Sequence, residues 1–165
     1  MLLTVDVGNT NTVLGIFDGE ELVRSWRVKT DPRTTADELW LQFNALVADY
    51  EVTGLSICST VPATLRELRT MIASYFSKIP TTIVEPGTKT GVPLLVDNPK
   101  EIGADRIVNT LAAHVLYGGP AIVVDFGTST NLDVVSPKGE FLGGALAPGI
   151  EISVDALAAR AAQLR

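Results

Sequence analysis

The fold of this chain is decided by TVDVGNTNT at residues 4–12, which returns in outline as VVDFGTSTN at residues 123–131. Both stretches run from an apolar strand into Asp-x-Gly and then into a turn rich in hydroxyl and amide side chains. The glycine lets the backbone approach a phosphate, and the turn directs N–H and hydroxyl donors at it. The carboxylate can hold a metal ion that neutralises phosphate oxygens. We therefore expect two such turns, facing each other, to clamp a nucleotide.

The first copy continues as a whole α/β lobe. A predicted hairpin with the turn Asp18-Gly19 follows the first strand. The next segment, residues 35–50, is predicted as an amphipathic helix with Leu39, Phe43, Leu46 and Val47 on its apolar side. Four further elements complete this copy, namely predicted strands at 55–59 and 81–84 and predicted helices at 63–76 and 103–116.

The second copy repeats the start of this pattern. Predicted strands at 132–135 and 140–145 flank the turn Pro137-Lys138-Gly139. An Ala-rich helix is predicted from near residue 150, and its apolar face carries Val154, Leu157, Ala158, Ala161 and Leu164. Strand-strand-strand-helix, found twice, indicates a duplication; the alternative is two unrelated hairpins that each begin with an Asp-Gly turn. We expect residues 1–117 to form the first lobe and residues 118–165 the front of a second, incomplete lobe.

Composition excludes several classes of protein. The 165 residues are 46% hydrophobic and 19% charged, which suits a packed core. The net charge of −6, without a Lys/Arg block, argues against a nucleic-acid surface. No run approaches the ~18 apolar residues of a membrane span, and the N-terminus lacks the basic region of a signal peptide. The single cysteine, Cys58, is expected in the core. These features predict a cytoplasmic protein without nucleic-acid or membrane partners.

A third informative segment surrounds Asp105 and Arg106. Asn98-Pro99 marks a turn, Gly103 opens a helix, and the two charged residues fall in its first turn. The buried stripe of this helix is expected to consist of Ile107, Val108, Leu111, Ala112, Val115 and Leu116. On spacing alone, the favoured interpretation is structural: Asp105 complements the helix dipole and Arg106 is a solvated surface charge.

Four motifs occur in order along the chain, namely Asp6-Val7-Gly8-Asn9-Thr10, Gly103-Ala104-Asp105-Arg106, Asp125-Phe126-Gly127-Thr128 and Gly143-Gly144-Ala145-Leu146-Ala147-Pro148-Gly149. Together they closely resemble the type III pantothenate kinase family, of the sugar-kinase, actin and heat-shock ATPase superfamily. The likeness covers the entire chain. It implies duplicated ribonuclease H-like (actin-like ATPase) lobes, each a mixed sheet flanked by helices, with the second lobe incomplete. It also implies ATP-dependent phosphorylation of pantothenate to 4'-phosphopantothenate, the first step of coenzyme A biosynthesis.

The resemblance also implies roles for individual residues. Asp105 matches the family's proton acceptor, Asp125 the ligand of a monovalent cation (K⁺ or NH₄⁺), and Asp6 would hold Mg²⁺ through the phosphates. Family members are homodimers. The implied ATP contacts are Asp6, Val7, Gly8, Asn9, Thr10, Asn11, Thr12, Val13 and Thr128. The implied substrate contacts are Val96, Gly103, Ala104, Asp105 and Arg106.

Two departures from the family pattern keep alternatives open. Val96 stands where the family often has a tyrosine, and the parts of the second lobe that carry the adenine pocket are not in this chain. We therefore expect residues 1–165 alone to be inactive. The alternatives are a non-catalytic regulatory relative and a related small-molecule kinase with a different acceptor. Asp133 is a further acid near the phosphates or a solvent-facing strand residue, and Gly143-Gly144 is a bulge or a wall of the substrate cleft.

Overall fold

The computed structural model describes residues 1–160. Its backbone divides into two compact units, Met1–Thr88 and Lys89–Arg165. Below, these are called the N-terminal unit and the C-terminal unit.

The N-terminal unit is a five-stranded mixed sheet in the order β3-β2-β1-β4-β5 with two helices. The central strand β1 pairs antiparallel with β2 and parallel with β4. The helices α1 and α2 pack against each other. The elements are β1 (Leu2–Val7), β2 (Asn11–Asp18), β3 (Glu21–Lys29), α1 (Ala36–Val47), β4 (Gly54–Ser59), α2 (Pro62–Tyr75) and β5 (Thr81–Val84).

Alternating apolar side chains build the core of this unit. Leu3, Val5 and Val7 of β1 point to one side and are buried, as the period of two along a strand requires. Cys58 on β4 is also buried, which confirms its expected place in the core. The β2–β3 hairpin turns at Gly19, whose φ of 60° suits glycine. Asp18 still pairs with Glu21, so the turn lies one residue later than predicted.

Helix α1 confirms the predicted amphipathic pattern. Leu39, Phe43 and Val47 are all buried, and the half-buried Leu46 packs against the same core. The helix begins after Thr35 because a capping box closes its N-terminus. The Thr35 hydroxyl accepts from the backbone N–H of Glu38, and the Glu38 carboxylate accepts from the backbone N–H of Thr35.

The C-terminal unit is a three-stranded antiparallel meander with α3 packed on β6 and β7. Residues 93–95 extend it, because the Leu95 N–H donates to the Phe141 carbonyl and the Phe141 N–H donates to the Pro93 carbonyl, each at 2.9 Å. The elements are a short 3₁₀ helix (Pro99–Glu101), α3 (Ala104–Tyr117), β6 (Ala121–Phe126), β7 (Ser129–Val135), β8 (Phe141–Pro148) and α4 (Ile150–Arg160).

The two units contain the same topology. In each, three antiparallel strands in chain order are followed by a helix: β1 to β3 with α1, and β6 to β8 with α4. This arrangement confirms the duplicated α/β class. The compact units divide between Thr88 and Lys89, whereas the predicted lobe boundary lies after residue 117. The difference arises because α3 packs on the strands that follow it. The assignment of residues 1–117 and 118–165 to lobes stays a prediction.

The predicted buried stripe of α3 is wrong. Ile107 is buried, and its buried neighbours on the helix are Ala104 and Thr110. Val115 and Leu116 are 71% and 69% exposed. The helix is apolar on more than one side, and the sheet covers only the side that carries Ile107.

Two further expectations concern helices. On helix α4, Val154 and Leu157 of the predicted apolar face are exposed. Ala161 and Leu164 of the same predicted face lie outside the described residues. Within residues 1–160, no helix has the length and apolar character needed to cross a bilayer.

Candidate active site

The first Asp-x-Gly turn lies between β1 and β2 and is closed by backbone hydrogen bonds. The Gly8 N–H donates to the Asn11 carbonyl at 3.0 Å, and the Thr30 N–H, just after β3, donates to the Thr10 carbonyl at 2.9 Å. A Cβ on Gly8 would lie 3.3 Å from the Asn11 oxygen, so the turn is tight around this glycine. The end of β3 therefore fixes the turn from outside.

Asp6 is exposed next to this turn and has a partner on the neighbouring strand. The Cys58 thiol donates to Asp6 Oδ1 at 3.1 Å. The contact follows from the parallel register of β1 and β4, which sets Asp6 beside Cys58. The sequence pattern marked Cys58 only as a core residue, because strand neighbours cannot be read from local periodicity.

The predicted ATP-contact residues of the first turn divide into two groups. Asn9, Thr10 and Asn11 are exposed. Val7 and Thr12 are buried, and the Thr12 hydroxyl shares a 2.9 Å hydrogen bond with the Thr30 hydroxyl. These two support the turn from inside. Val13 is half-buried.

A polar cavity of about 240 Å³ opens beside the buried Thr12 hydroxyl. It lies within the N-terminal unit, where the ends of β2 and β3 meet the first turns of α1 and α2. Its lining includes Lys29, Thr30, Asp31, Thr34, Glu38 and Thr64.

The second Asp-x-Gly turn, between β6 and β7, is closed in a similar way. The Gly127 N–H donates to the Ser129 carbonyl at 2.9 Å, and the Gly149 N–H donates to the Thr128 carbonyl at 3.0 Å. A Cβ on Gly149 would meet the Thr128 carbonyl oxygen and the Gly127 carbonyl oxygen, so only glycine fits against the turn. Thr128 is exposed. The glycine that precedes α4 thus supports the turn after β6.

Asp125 is half-buried on β6 and faces Asn131 across the β6–β7 pair. The Asn131 side chain is buried, and its Oδ1 is 2.8 Å from the Ser129 hydroxyl. Carboxylate, amide and hydroxyl oxygens therefore lie together on this side of the sheet. Such hard oxygen donors suit an alkali or alkaline-earth cation.

The Gly103-Ala104-Asp105-Arg106 motif forms the first turn of α3. Gly103 is the N-cap, and its carbonyl accepts from the N–H groups of Arg106 and Ile107 at 3.1 and 3.3 Å. Ala104 is buried, while Asp105 is half-buried beside the positive end of the helix dipole.

Arg106 and Asp133 form an ion pair within the C-terminal unit. Arg106 Nε donates to Asp133 Oδ1 at 2.8 Å, and Nη2 donates to the same oxygen. The Arg106 side chain is only 13% exposed and Asp133 is fully buried. Two structural interpretations are therefore wrong: Arg106 is not a solvated surface charge, and Asp133 does not face solvent. Neither could be read from local sequence, because α3 and β7 meet only in the folded unit.

Val96 and the glycine pair Gly143-Gly144 complete this cluster. Val96 is half-buried against Phe141 and its buried neighbours. It lies 3.7 Å from the position of a Cβ on Gly143. A Cβ on Gly144 would lie 2.9 Å from Arg106 Nη2. The C-terminal unit thus brings the predicted substrate contacts into one neighbourhood.

No group of three His, Cys, Asp or Glu side chains converges on a metal position anywhere in residues 1–160. Mg²⁺ is commonly held by one or two carboxylates together with substrate phosphates, and not by an all-protein cage. An exposed carboxylate beside a tight turn with exposed polar side chains, as at Asp6, fits that mode of binding.

The duplicated meander with an Asp-x-Gly turn after each first strand defines the actin-like ATPase and sugar-kinase fold class. The chain is similar in fold to the ethanolamine utilization protein EutJ from Carboxydothermus hydrogenoformans. The TM-score is 0.58 at 17% identity, over 99% of this chain and 57% of that one. More specifically, a sequence model of type III pantothenate kinase matches residues 2–165. The chain belongs to the type III pantothenate kinase family.

Close relatives agree with this assignment. The chain is 70% identical over 165 residues to the type III pantothenate kinase of Parafrankia sp. (strain EAN1pec). It is 72% identical to that of Frankia alni, again over 165 residues. All of this chain is covered in both alignments, but it spans only 65% and 66% of the length of these two relatives.

Proposed function

We propose that the full-length protein transfers the γ-phosphoryl group of ATP to the primary hydroxyl of pantothenate, in the first step of coenzyme A biosynthesis. The observation that carries the proposal is the repeated Asp-x-Gly turn, one after the first strand of each meander. A protein with a single anion site has no need of both turns. Family membership supports pantothenate as the acceptor.

The first turn is suited to the ATP phosphates. Asn9, Thr10 and Asn11 offer exposed amide and hydroxyl donors, and a tight glycine keeps the backbone close. Asp6 would hold Mg²⁺, which supplies neutralisation of phosphate charge when it is bound. Thr128 of the second turn would donate its hydroxyl to the same nucleotide.

Asp105 would act as the proton acceptor for the pantothenate hydroxyl. Phosphoryl transfer asks mainly for in-line positioning and charge stabilisation, with little covalent chemistry from the protein. An ionised carboxylate in the first turn of α3 can orient the hydroxyl and take its proton as the bond to phosphorus forms. The remaining residues of this motif would bind the rest of the acceptor.

We further propose that Asp125 binds a monovalent cation. The half-buried carboxylate lies with Asn131 and Ser129 oxygens on one side of the sheet. A cation held there offsets negative charge where carboxylates and phosphates come together.

The proposal also includes a cytoplasmic homodimer. Cytoplasmic ATP and coenzyme A chemistry favour that location. The exposed apolar residues Val115, Leu116 and Tyr117 of α3 support self-association. Multi-angle light scattering on the full-length protein would give the mass of the assembly, and a monomer at assay concentration would contradict the dimer.

A substrate panel tests the proposed function. The full-length protein is incubated with ATP, Mg²⁺ and KCl, and ADP release is coupled to NADH oxidation. We expect ADP release with pantothenate and not with hexoses, N-acetylhexosamines or acetate. Release with another acceptor would make it a different small-molecule kinase. Tight ATP binding without turnover of any acceptor would favour a non-catalytic relative.

A further inference from the structure

We propose that Asp133 is a positioning residue, which holds the Arg106 guanidinium so that its remaining donors meet an oxyanion of the reaction. The oxyanion is either the carboxylate of the acceptor or the phosphoryl group in transfer. This inference rests on the proposed function, because it assigns Arg106 a ligand within that reaction.

The first step is a donor count. A guanidinium has five N–H donors in a rigid fork. Nε and Nη2 each donate one to the same oxygen, Asp133 Oδ1. In the part of the chain that the structure describes, these are the guanidinium's only hydrogen bonds. Three donors therefore stay available, on a side chain that is only 13% exposed. Their direction is set by the bond to Asp133.

The second step is the confinement of the guanidinium. The Phe141 ring lies beneath it, with the ring centroid 5.1 Å from the guanidinium carbon. On another side, Gly144 leaves no room: a Cβ there would lie 2.9 Å from Arg106 Nη2 and 2.7 Å from Asp133 Oδ1. The Asp133 carboxylate, the Phe141 ring and the backbone at Gly144 thus restrict the Arg106 guanidinium to one orientation.

The third step is that stability alone does not explain the pair. A buried ion pair often contributes no more to stability than well-packed apolar residues of the same volume, because both charges lose water. Asp133 Oδ2 is buried and has no hydrogen-bond partner among residues 1–160. A buried carboxylate oxygen without a donor costs stability. A role in orienting Arg106 accounts for a carboxylate at this position.

The last step is the ligand class. Arginine forks bind carboxylates and phosphates through paired N–H donors. Arg106 follows Asp105 directly in the first turn of α3, so an anion on its remaining donors lies near the proposed proton acceptor. Both pantothenate and the transferred group carry such an anion.

Asp133→Asn in the full-length protein is the central variant. It keeps the shape of the side chain and removes the negative charge that orients the Arg106 guanidinium. We expect kcat/KM for pantothenate to fall roughly 10–100-fold, as for a small misplacement in a reactive site, while KM for ATP stays unchanged. Glu140→Gln removes a carboxylate that accepts from the Ser136 hydroxyl in the β7–β8 turn of the same unit. It should leave all constants near wild type.

An acceptor analogue separates the two oxyanions. In pantothenol, a hydroxymethyl group replaces the carboxylate. If Arg106 binds the acceptor carboxylate, Asp133→Asn raises KM for pantothenate and leaves pantothenol unaffected. If Arg106 binds the phosphoryl group, kcat falls equally with both acceptors. A parallel rise in KM for ATP, or wild-type constants throughout, would overturn the proposal.

A double-mutant cycle distinguishes positioning from a structural role. If Asp133 acts through Arg106, Asp133→Asn adds no further loss of kcat/KM to Arg106→Lys. Additive losses would contradict the proposal. Asp133→Glu keeps the negative charge but displaces it, so its loss of kcat/KM should be intermediate. This variant replaces Asp133→Asn in the cycle if Asp133→Asn does not fold.

An NMR measurement distinguishes failure of the positioning role from failure of the proposed function. The Arg106 Nε–H signal, assigned by its loss in Arg106→Lys, should exchange slowly with water in the wild type and in Glu140→Gln. It should broaden or vanish in Asp133→Asn. An unchanged signal would refute the positioning role. A wild-type protein with the expected signal but no transfer to pantothenate would instead refute the proposed function.

Discussion

Both Asp-x-Gly turns use a glycine N–H to close the chain on itself. Gly8 donates to the Asn11 carbonyl and Gly127 to the Ser129 carbonyl, at 3.0 and 2.9 Å. A closed turn keeps the preceding carboxylate, Asp6 or Asp125, at a fixed distance from the donors that follow it. At the scale of single residues, backbone geometry therefore fixes the two carboxylates to which the proposed function assigns metal binding.

The clearest residue-level consequence concerns Asp105. Asp105→Asn keeps the shape and removes the proposed proton acceptor, so transfer in the full-length protein should fall by ~10²–10⁴. ATP affinity should change little, because the proposed role of the side chain is to act on the acceptor hydroxyl and not on the nucleotide. Steady-state kinetics and nucleotide titration measure both quantities. Asp49→Asn, an exposed acid after α1, is the matched control. Near-wild-type turnover in Asp105→Asn would remove Asp105 from the mechanism.

The cation proposal makes a prediction of its own. Asp125→Ala should abolish activation by K⁺ or NH₄⁺ and raise the apparent ATP requirement, because the half-buried carboxylate is the proposed ligand. Activity is titrated with each salt at fixed ionic strength, with Na⁺ as the control. The same response to K⁺ in wild type and variant would show that the cation binds elsewhere.

Among the elements, α1 has the most completely satisfied N-terminus. Its capping box joins Thr35 and Glu38 in both directions. The hydrogen bond from the Thr35 backbone N–H, followed by that from the Thr35 hydroxyl, lowers the pKa of Glu38 below 4.5. The cap therefore favours the ionised carboxylate, and folding and ionisation are coupled at this helix end.

The coupling predicts a pH dependence of stability. Because the folded-state pKa is the lower one, the contribution of Glu38 is present above the unfolded-state value near 4.5. It is lost as the pH falls through the folded-state pKa. Urea midpoints between pH 7 and pH 3 should fall further for wild type than for Glu38→Gln, and the two should converge in acid. Glu20→Gln, in the exposed hairpin turn, should track wild type. Parallel curves for wild type and Glu38→Gln would contradict the coupling.

At the scale of the molecule, the sheet of the C-terminal unit exposes an apolar face. Ile122, Val124 and Phe126 of β6 are 65%, 47% and 68% exposed. Leu132 and Val134 of β7 pair with Val124 and Ile122 and share that face. Contiguous apolar patches of this kind mark surfaces that other protein groups cover.

We therefore expect residues 1–165 on their own to associate and to show no measurable pantothenate kinase activity. Light scattering and the coupled ADP assay measure the two properties. Phe126→Lys should reduce association. Leu41→Lys should not, because Leu41 has the same 68% exposure but lies on α1 in the other unit. A monodisperse monomer that turns over pantothenate would refute both expectations.

The sequence by itself determined the elements, because their signals are local. Strand β5 lies at Thr81–Val84, as predicted, and Thr35 caps α1 at the predicted helix start. Two copies of one local pattern sufficed to indicate the duplication, and four motifs in order indicated the family. The Asp-x-Gly turns, a few residues long, were also predicted in place.

Only the tertiary structure decided which residues meet. Local periodicity shows that α3 is apolar on several sides, but the sheet decides that the side with Ile107 is buried and the side with Val115 is exposed. The ion pair between Arg106 and Asp133 likewise joins α3 to β7. The physical reason is that a contact between distant segments depends on strand order, register and the direction of packing, none of which leaves a periodic trace in the residues themselves.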